Sequence, residues 1–527
     1  MSSREPDGPI TSREELKRYL WDACEIEHQL MIQYLFAAFT LKKHPDATCT
    51  PAQWESVRRW GSQVMMVARQ EMEHLALANG ILTAIAEDPF FARENLPVQP
   101  RYFLGRERAR DHSPRAAAGP KKRKPEPVPC DIPFLFERFN LDTVGRFVCA
   151  ESPSFDSLLQ ARERVAHWCF GTPEHPCRAT ALADWTGEGA AKLRAGPGGH
   201  PLRLSRTHLP PPPLRAAVRG KKGQAEGFHP GSIQELYGRI RTALHTLPNL
   251  FVGNPNQQVQ VLVEYQINVT PITSLQMADV AIDLIVEEGE GIDAPPGFQS
   301  HYTRFYEVRD ELVRLQQENP RFDPALPVVT NPGPDNISLP YTVRVLDLFN
   351  YAYTTLLFVL TSLYRNYDSQ ESAYPYFSTA LQNVAFGPFM TMVLRPIAEV
   401  LVHLKAEKGG RETAGPSFHL SPEDERVLWP RQPDAVQLPG ELVAGRQAAQ
   451  APELADIGFF LDRMSVILAE VEALSTERRL KDHLLDREHE AWAKRQLAFV
   501  HQNVHATANN LRRIYQVGEI SQFVIQY

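Results

Sequence analysis

The stretch Val67-Ala-Arg-Gln-Glu-Met-Glu-His-Leu75 carries Glu71 and His74 three residues apart. At the pitch of an α-helix that spacing puts both side chains on one face. Trp60, Val64, Val67, Ala78, Ile81 and Ile85 recur at the same spacing, so the carboxylate and the imidazole are expected to point into a packed interior. An interior carboxylate without a partner costs several kcal/mol or takes up a proton, and metal coordination is one of the few arrangements that keeps it charged.

A second helix strengthens this reading. Between Leu16 and Phe39 the apolar residues Leu20, Ala23, Leu30, Met31, Tyr34 and Ala38 form a stripe that includes Glu27 and leaves out Glu25. One Glu on a first helix, followed by Glu-x-x-His on a second, is how ferritin-like bundles supply half of a carboxylate-rich site for iron or manganese. Glu27, Glu71 and His74 match that half. The competing arrangement, with Glu27 and Glu71 paired to Arg or Lys at a helix edge, does not account for three coincident positions.

The other half is less regular. Leu275 to Gly291 reads as a helix that ends in glycines and presents Glu287 and Glu290 three residues apart, either of which could face inward. After a turn from Gly291 to Gln299, with Pro295, Pro296 and Gly297 as breakers, a new helix near Ser300 carries His301, Phe305, Val308, Leu312 and Leu315 on one stripe. His301 is therefore expected inside, as a ligand or as an ordinary core histidine. No acidic residue stands three positions before it, where the chain has Phe298. A second complete Glu-x-x-His is missing, which leaves one metal or two open.

Several pieces resemble the ferritin-like domain of iminophenylpyruvate dimer synthases: Ile26-Glu-His28, Val67 to Ala86, Gly231-Ser-Ile-Gln-Glu-Leu-Tyr237, Ile285 to Gly291, Ser300-His-Tyr302, Met390 to Val402 and Ala414 to Phe418. Those enzymes couple two imines of aryl pyruvates in violacein-type and rebeccamycin-type bisindole biosynthesis. The resemblance implies a non-haem metal oxidoreductase of secondary metabolism. It would use iron, as one or two ions, or manganese, with molecular oxygen or peroxide as oxidant. The metal ligands it implies are Glu27, Glu71, His74, Glu287 or Glu290, and His301. Oxygen insertion or nitrogen oxidation on another small molecule, or peroxide scavenging without an organic substrate, are the alternative activities.

Composition bounds the partners. The chain has 527 residues, 43% of them hydrophobic and 23% charged, with a net charge of -7. This suits a globular protein and gives no reason to expect nucleic acid or a membrane. The expected partners are a small aromatic substrate, a second copy of the chain and a pathway enzyme. The polar start, Met1 to Arg13, has no secretory character, and the apolar run Val345 to Tyr364 is interrupted by Asp347 and Asn350, so a cytoplasmic location is expected. Six cysteines in so long a chain make no disulfide framework and are expected to be reduced. His167-Trp-Cys169 and His175-Pro-Cys177 offer ligand types that zinc accepts, but at no recognised spacing.

The fold class expected is mainly α: a ferritin-like helix bundle over residues 12–420, interrupted by a loop-rich insert at 90–270, with a helical extension at 421–527. Two basic, proline-rich segments at 101–128 and 188–224 read as solvated loops. Residues 254–270 have period-two character and are expected to be extended. Helices are expected at 342–366, 376–406 and 452–517. His483, Asp486, His489, His501 and His505, on the last of these, read as solvated faces. Tyr34, Phe36, Tyr302 and Phe305 are candidates to wall an apolar pocket, or plain core.

Overall fold

In the computed structural model, residues 9–98, 133–151, 232–261, 267, 269–290, 299–370, 376–428 and 452–525 are described. The two basic segments, the His-x-Cys pairs and the turn from Gly291 to Phe298 lie outside them. Helices dominate, and among the described residues the only β pairings are isolated bridges such as Val261 with Val269. Of the segment expected to be extended at 254–270, the described residues form that bridge and a short 3-10 turn at Pro255–Gln257.

α1 (Arg13–Thr40) and α2 (Pro51–Ala84) run antiparallel. Arg13 at the start of α1 pairs with Glu87 beyond the end of α2, and Trp54 reaches back to Lys42. Local chemistry sets their ends. The Ser12 hydroxyl accepts from the Glu15 amide, and Thr50 with Gln53 forms a reciprocal capping box with Pro51 in the first turn. α2 stops before Pro89, because Ala86 takes a left-handed φ of 53° while the amides of Ala86 and Glu87 bond back to Thr83 and Leu82. This pattern satisfies the last carbonyls of the helix.

Four more helices complete the bundle around this pair: α3 (Leu141–Ala150), α4 (Ile233–Thr246), α5 (Leu275–Glu290) and α6 (His301–Glu318). α3 packs along α6, α4 along α5 and α1, and both α5 and α6 reach α2. Among its described residues the insert therefore contributes α3 and α4 to the bundle wall. From residue 23 to 34, α1 is buried on every side. α2 covers one face, and α7 (Pro340–Asn366) lies behind, where Tyr353 meets His28 Nε2 at 2.6 Å and Tyr364 donates to the Ala76 carbonyl.

The helix expected at 376–406 is divided. α8 (Phe377–Val384) passes into a π-helical stretch, Ala385–Leu394, before α9 (Arg395–Leu401). Pro388 stands inside the wide turn, where its missing N–H removes a rung of the α ladder. α7 and the α8–α9 unit are apolar and long enough to cross a membrane, yet 72% and 61% of their apolar windows are buried within the protein. α10 (Pro422–Leu428) precedes a hairpin of α11 (Pro452–Ser475) and α13 (Glu490–Ile525), joined through the single turn α12 (Leu480–His483). Arg463 fixes this hairpin to α7, donating to Thr355 and lying 3.8 Å from the centre of the Tyr351 ring. Cys24 and Cys49 are free thiols, as expected, but Cys149 is disulfide-bonded.

Candidate metal centre

The stripes of α1, α2 and α6 bring Glu27, Glu71, His74 and His301 together in the interior, each at most 2% exposed. Glu71 is the centre of the group. Its Oε1 lies 2.8 Å from His301 Nδ1 and its Oε2 lies 3.4 Å from His74 Nδ1, so its two oxygens serve two different imidazoles. The rings of His74 and His301 stack with centroids 5.3 Å apart. One donor atom from each of Glu71, His74 and His301 lies within 4.8 Å of the others. Glu27 Oε2 approaches His74 Nδ1 to 3.6 Å.

Two further carboxylates reach this group that sequence reasoning did not select. Glu151, directly after α3, places Oε2 3.7 Å from His301 Nδ1. It continues the apolar stripe Val144, Phe147, Val148 on α3, and that periodicity was the available signal. It also explains the absent second Glu-x-x-His: the acid beside His301 comes from the insert. Glu288 accepts from His74 Nε2 at 3.2 Å.

Of the two candidates on α5, Glu287 is exposed and faces away from the cluster. The buried face of α5 runs through Ala278, Ala281, Ile282 and Ile285, and the next position on it is Glu288. Glu290 is buried, and its Oε1 accepts from the Gln234 amide at 2.9 Å in the first turn of α4. A helix N-terminus is a favourable place for a carboxylate. Its Oε2 has no hydrogen-bond partner.

Two tyrosines close one side of the group. Tyr237 donates to Glu27 Oε1 at 2.8 Å, and Tyr34 donates to Glu151 Oε1. Tyr34 sits among Phe147 and Phe305 at 4.6 and 4.9 Å between ring centres. Phe36 points away, against Phe136, and Tyr302 is only half-buried. The C-terminal histidines form no common cluster: His501 and the exposed His505 stack on each other at 6.4 Å, His483 stacks on Tyr341, and His489 faces Asp486 at 3.4 Å.

The electrostatics follow from charge held in a dry place. Burial lifts Glu27 to about 7, opposed by His74 and reinforced by Glu71. Burial also pushes Glu290 well above the usual carboxylate range. Burial works against charge on His301, but Glu71 and Glu151 outweigh it and raise it to about 9. His74 is raised in the same way by Glu27, Glu288 and Glu71. Glu71 and Glu288 stay below their ordinary value because these imidazoles outweigh their burial.

Protons on the imidazoles are a partial answer to the clustered negative charge. Both Glu71 oxygens and both His301 nitrogens are buried without any hydrogen bond of acceptable geometry, although Nδ1 and Oε1 lie 2.8 Å apart. Lone pairs that converge on a common point instead of on each other suit a cation. Carboxylate oxygens with imidazole nitrogens are the donor set of divalent iron and manganese. The Glu288 contact at His74 Nε2 leaves Nδ1 as the donor that faces Glu27 and Glu71, the usual outer-shell arrangement for a ligating histidine.

Two outcomes are expected. Glu288→Gln weakens manganese(II) affinity by about 10- to 100-fold, whereas Glu287→Gln leaves it unchanged in equilibrium dialysis; equal effects would remove Glu288 from the assembly. Metal-free protein should also lose stability as pH rises. His301 and Glu27 both titrate above their ordinary 6.5 and 4.5, so the stabilisation they give is complete below those values and is lost as pH passes about 7 for Glu27 and about 9 for His301. The melting temperature of metal-free protein should fall between pH 6.5 and 9 by more than that of a His301→Gln variant; parallel curves would contradict the assignment.

A family profile described as ferritin-like matches residues 20–310. Dichlorochromopyrrolate synthase of Lentzea aerocolonigenes is 27% identical over 78% of this chain and 36% of its own. The 2-imino-3-(indol-3-yl)propanoate dimerase of Chromobacterium violaceum is 24% identical over 78% of this chain and 34% of its own. The chain thus spans about a third of the length of these curated relatives. A solved ferritin-like protein from Caulobacter vibrioides aligns with a TM-score of 0.39 at 15% identity, over 73% of this chain and 96% of that one. With the profile covering more than half its length, the chain belongs to the ferritin-like family.

Proposed function

We propose that this protein is a metal-dependent oxidative enzyme of secondary metabolism that acts on a 2-imino or 2-keto acid derived from an aromatic amino acid and couples two such molecules. The reading rests on the approach of Glu71 to two imidazoles, with both Glu71 oxygens and both His301 nitrogens buried and without a hydrogen bond. The two relatives, a synthase of dichlorochromopyrrolate and a dimerase of an indole-bearing imino acid, suggest the substrate class.

Glu27, Glu71 and His74 would hold one ion, and Glu71, Glu151, His301 and Glu290 would be available to a second. Iron or manganese, when bound, would supply one-electron oxidation with dioxygen or peroxide as the terminal acceptor. The chain's own groups supply the setting. Tyr237 and Tyr34 each occupy one oxygen of Glu27 and Glu151, which leaves the other oxygen for the ion. Glu288 fixes the His74 ring and can hold its Nε2 proton. The apolar residues around Phe147 and Phe305 exclude water, so a reactive substrate is shielded from hydrolysis. Joining two 2-imino-3-arylpropanoates at their activated C3 carbons forms one carbon–carbon bond and releases two protons and two electrons, which reduce dioxygen to peroxide or peroxide to water.

Protein purified without chelator is expected to carry iron or manganese, and Glu71→Gln with His74→Ala to carry less than about a tenth as much, since losing ligands costs at least as much affinity as losing an outer-shell partner. Given indole-3-pyruvate, ammonium and dioxygen or peroxide, the loaded enzyme should form a product of twice the imine mass less two hydrogens. An oxygenated monomer would point to an oxygenase, peroxide loss alone to a scavenger, and metal retained in the double variant would overturn the site.

A further inference from the structure

The metal-centre residues are not equally enclosed. Tyr237 and Tyr34 back Glu27 and Glu151, and Glu290 is capped by α4. Glu288 is the most exposed of the described acids and imidazoles in the group, at 8% against 3% or less for the others. Approach to the centre is therefore easiest along the edge that Glu288 occupies.

Two side chains flank that edge with unused capacity. Gln70, next to Glu71 on α2, stands close enough to Glu288 to help hold its carboxyl below the ordinary value, and its own Oε1 is buried with no hydrogen-bond donor. Arg304 lies on α6, one turn beyond His301, half-buried, with Nε donating to the Gln299 carbonyl at 3.0 Å. Among the described residues no carboxylate forms an ion pair with it, while Glu307 is engaged by the Gln299 amide. Glu288 and Glu307 act on Arg304 only from a distance, and burial outweighs them, so the guanidinium sits below its ordinary pKa. A partly desolvated cation with its terminal nitrogens unpaired is a ready partner for an anion.

We infer that the edge formed by Gln70, Glu288 and Arg304 is the subsite for the head group of a 2-imino acid, with Arg304 pairing with the substrate carboxylate and Gln70 Oε1 accepting the imine N–H. This rests on the substrate class proposed above. The two contacts match the chemistry of that class, in which carboxylate and N–H sit on adjacent atoms of one short head group. A 2-keto acid keeps the first contact but presents an oxygen to the Gln70 acceptor, so Gln70 favours the imine over the ketone. His74, held by Glu288, then lies beside the bound head group.

The test is equilibrium dialysis of the metal-loaded protein with three stable probes. L-Tryptophan carries carboxylate and N–H, indole-3-pyruvate carries the carboxylate without the N–H, and tryptamine lacks the carboxylate. Arg304→Gln should weaken L-tryptophan and indole-3-pyruvate by about 10- to 100-fold, the worth of a charged hydrogen bond, and leave tryptamine unchanged. Arg304→Lys, which keeps the charge, should recover most of the loss. Gln70→Leu should weaken L-tryptophan and not indole-3-pyruvate. Metal content, measured alongside, should stay at the level of the unaltered protein. If the unaltered protein binds the two acids and Arg304→Gln binds them equally well, the subsite is wrong and the substrate class stands. If the unaltered protein binds none of the three, the substrate class falls and the subsite with it.

Discussion

Everything in this bundle is arranged around the cost of keeping several carboxylates out of water. Among the described residues, Glu27, Glu71, Glu151 and Glu288 are buried against the two imidazoles of His74 and His301, and Glu290 is buried close enough to Glu151 to feel its charge. Ionised carboxylates in so dry a place repel one another and are costly to desolvate. Burial lifts both Glu27 and Glu290, with Glu71 adding to the first shift and Glu151 to the second. A bound cation of charge two would resolve the conflict in a way that side-chain protons do only in part.

The scaffold is built to hold that charge in place. Tyr237 and Tyr34 come from different helices and each fixes one acid. α4 turns its first amides toward Glu290, which gives a structural purpose to the segment that begins Ser232-Ile-Gln. α7 seals α1 from behind, where His28 is held by Tyr353. The acids can be positioned closely because the helices that carry them are pinned on both faces, and pinned donors cost less to organise around an ion.

Much of this was legible in the sequence, for a specific reason. Glu27, Glu71, His74 and His301 lie on long apolar stripes of regular helices, and a period of 3.6 residues read over several turns is hard to mistake. Helix ends were less legible: of Glu287 and Glu290, candidates by their spacing, Glu290 is buried, whereas continuing the stripe through Ile285 leads to Glu288 and leaves Glu287 in solvent. Glu151 stands after a helix of 10 residues, too short to announce itself inside a segment dominated by proline and basic residues. It reaches His301 only through tertiary packing of α3 on α6, which no local pattern encodes. The π-helical turn at Pro388 was likewise settled by backbone hydrogen bonding that residue types alone underdetermine.

Crystals grown with manganese(II) and measured at the manganese edge should show anomalous density enclosed by Glu71, His74 and His301, as one peak on either side of Glu71 or a single peak beside it. A map with manganese only at surface acids, and none next to Glu71, would contradict the metal centre.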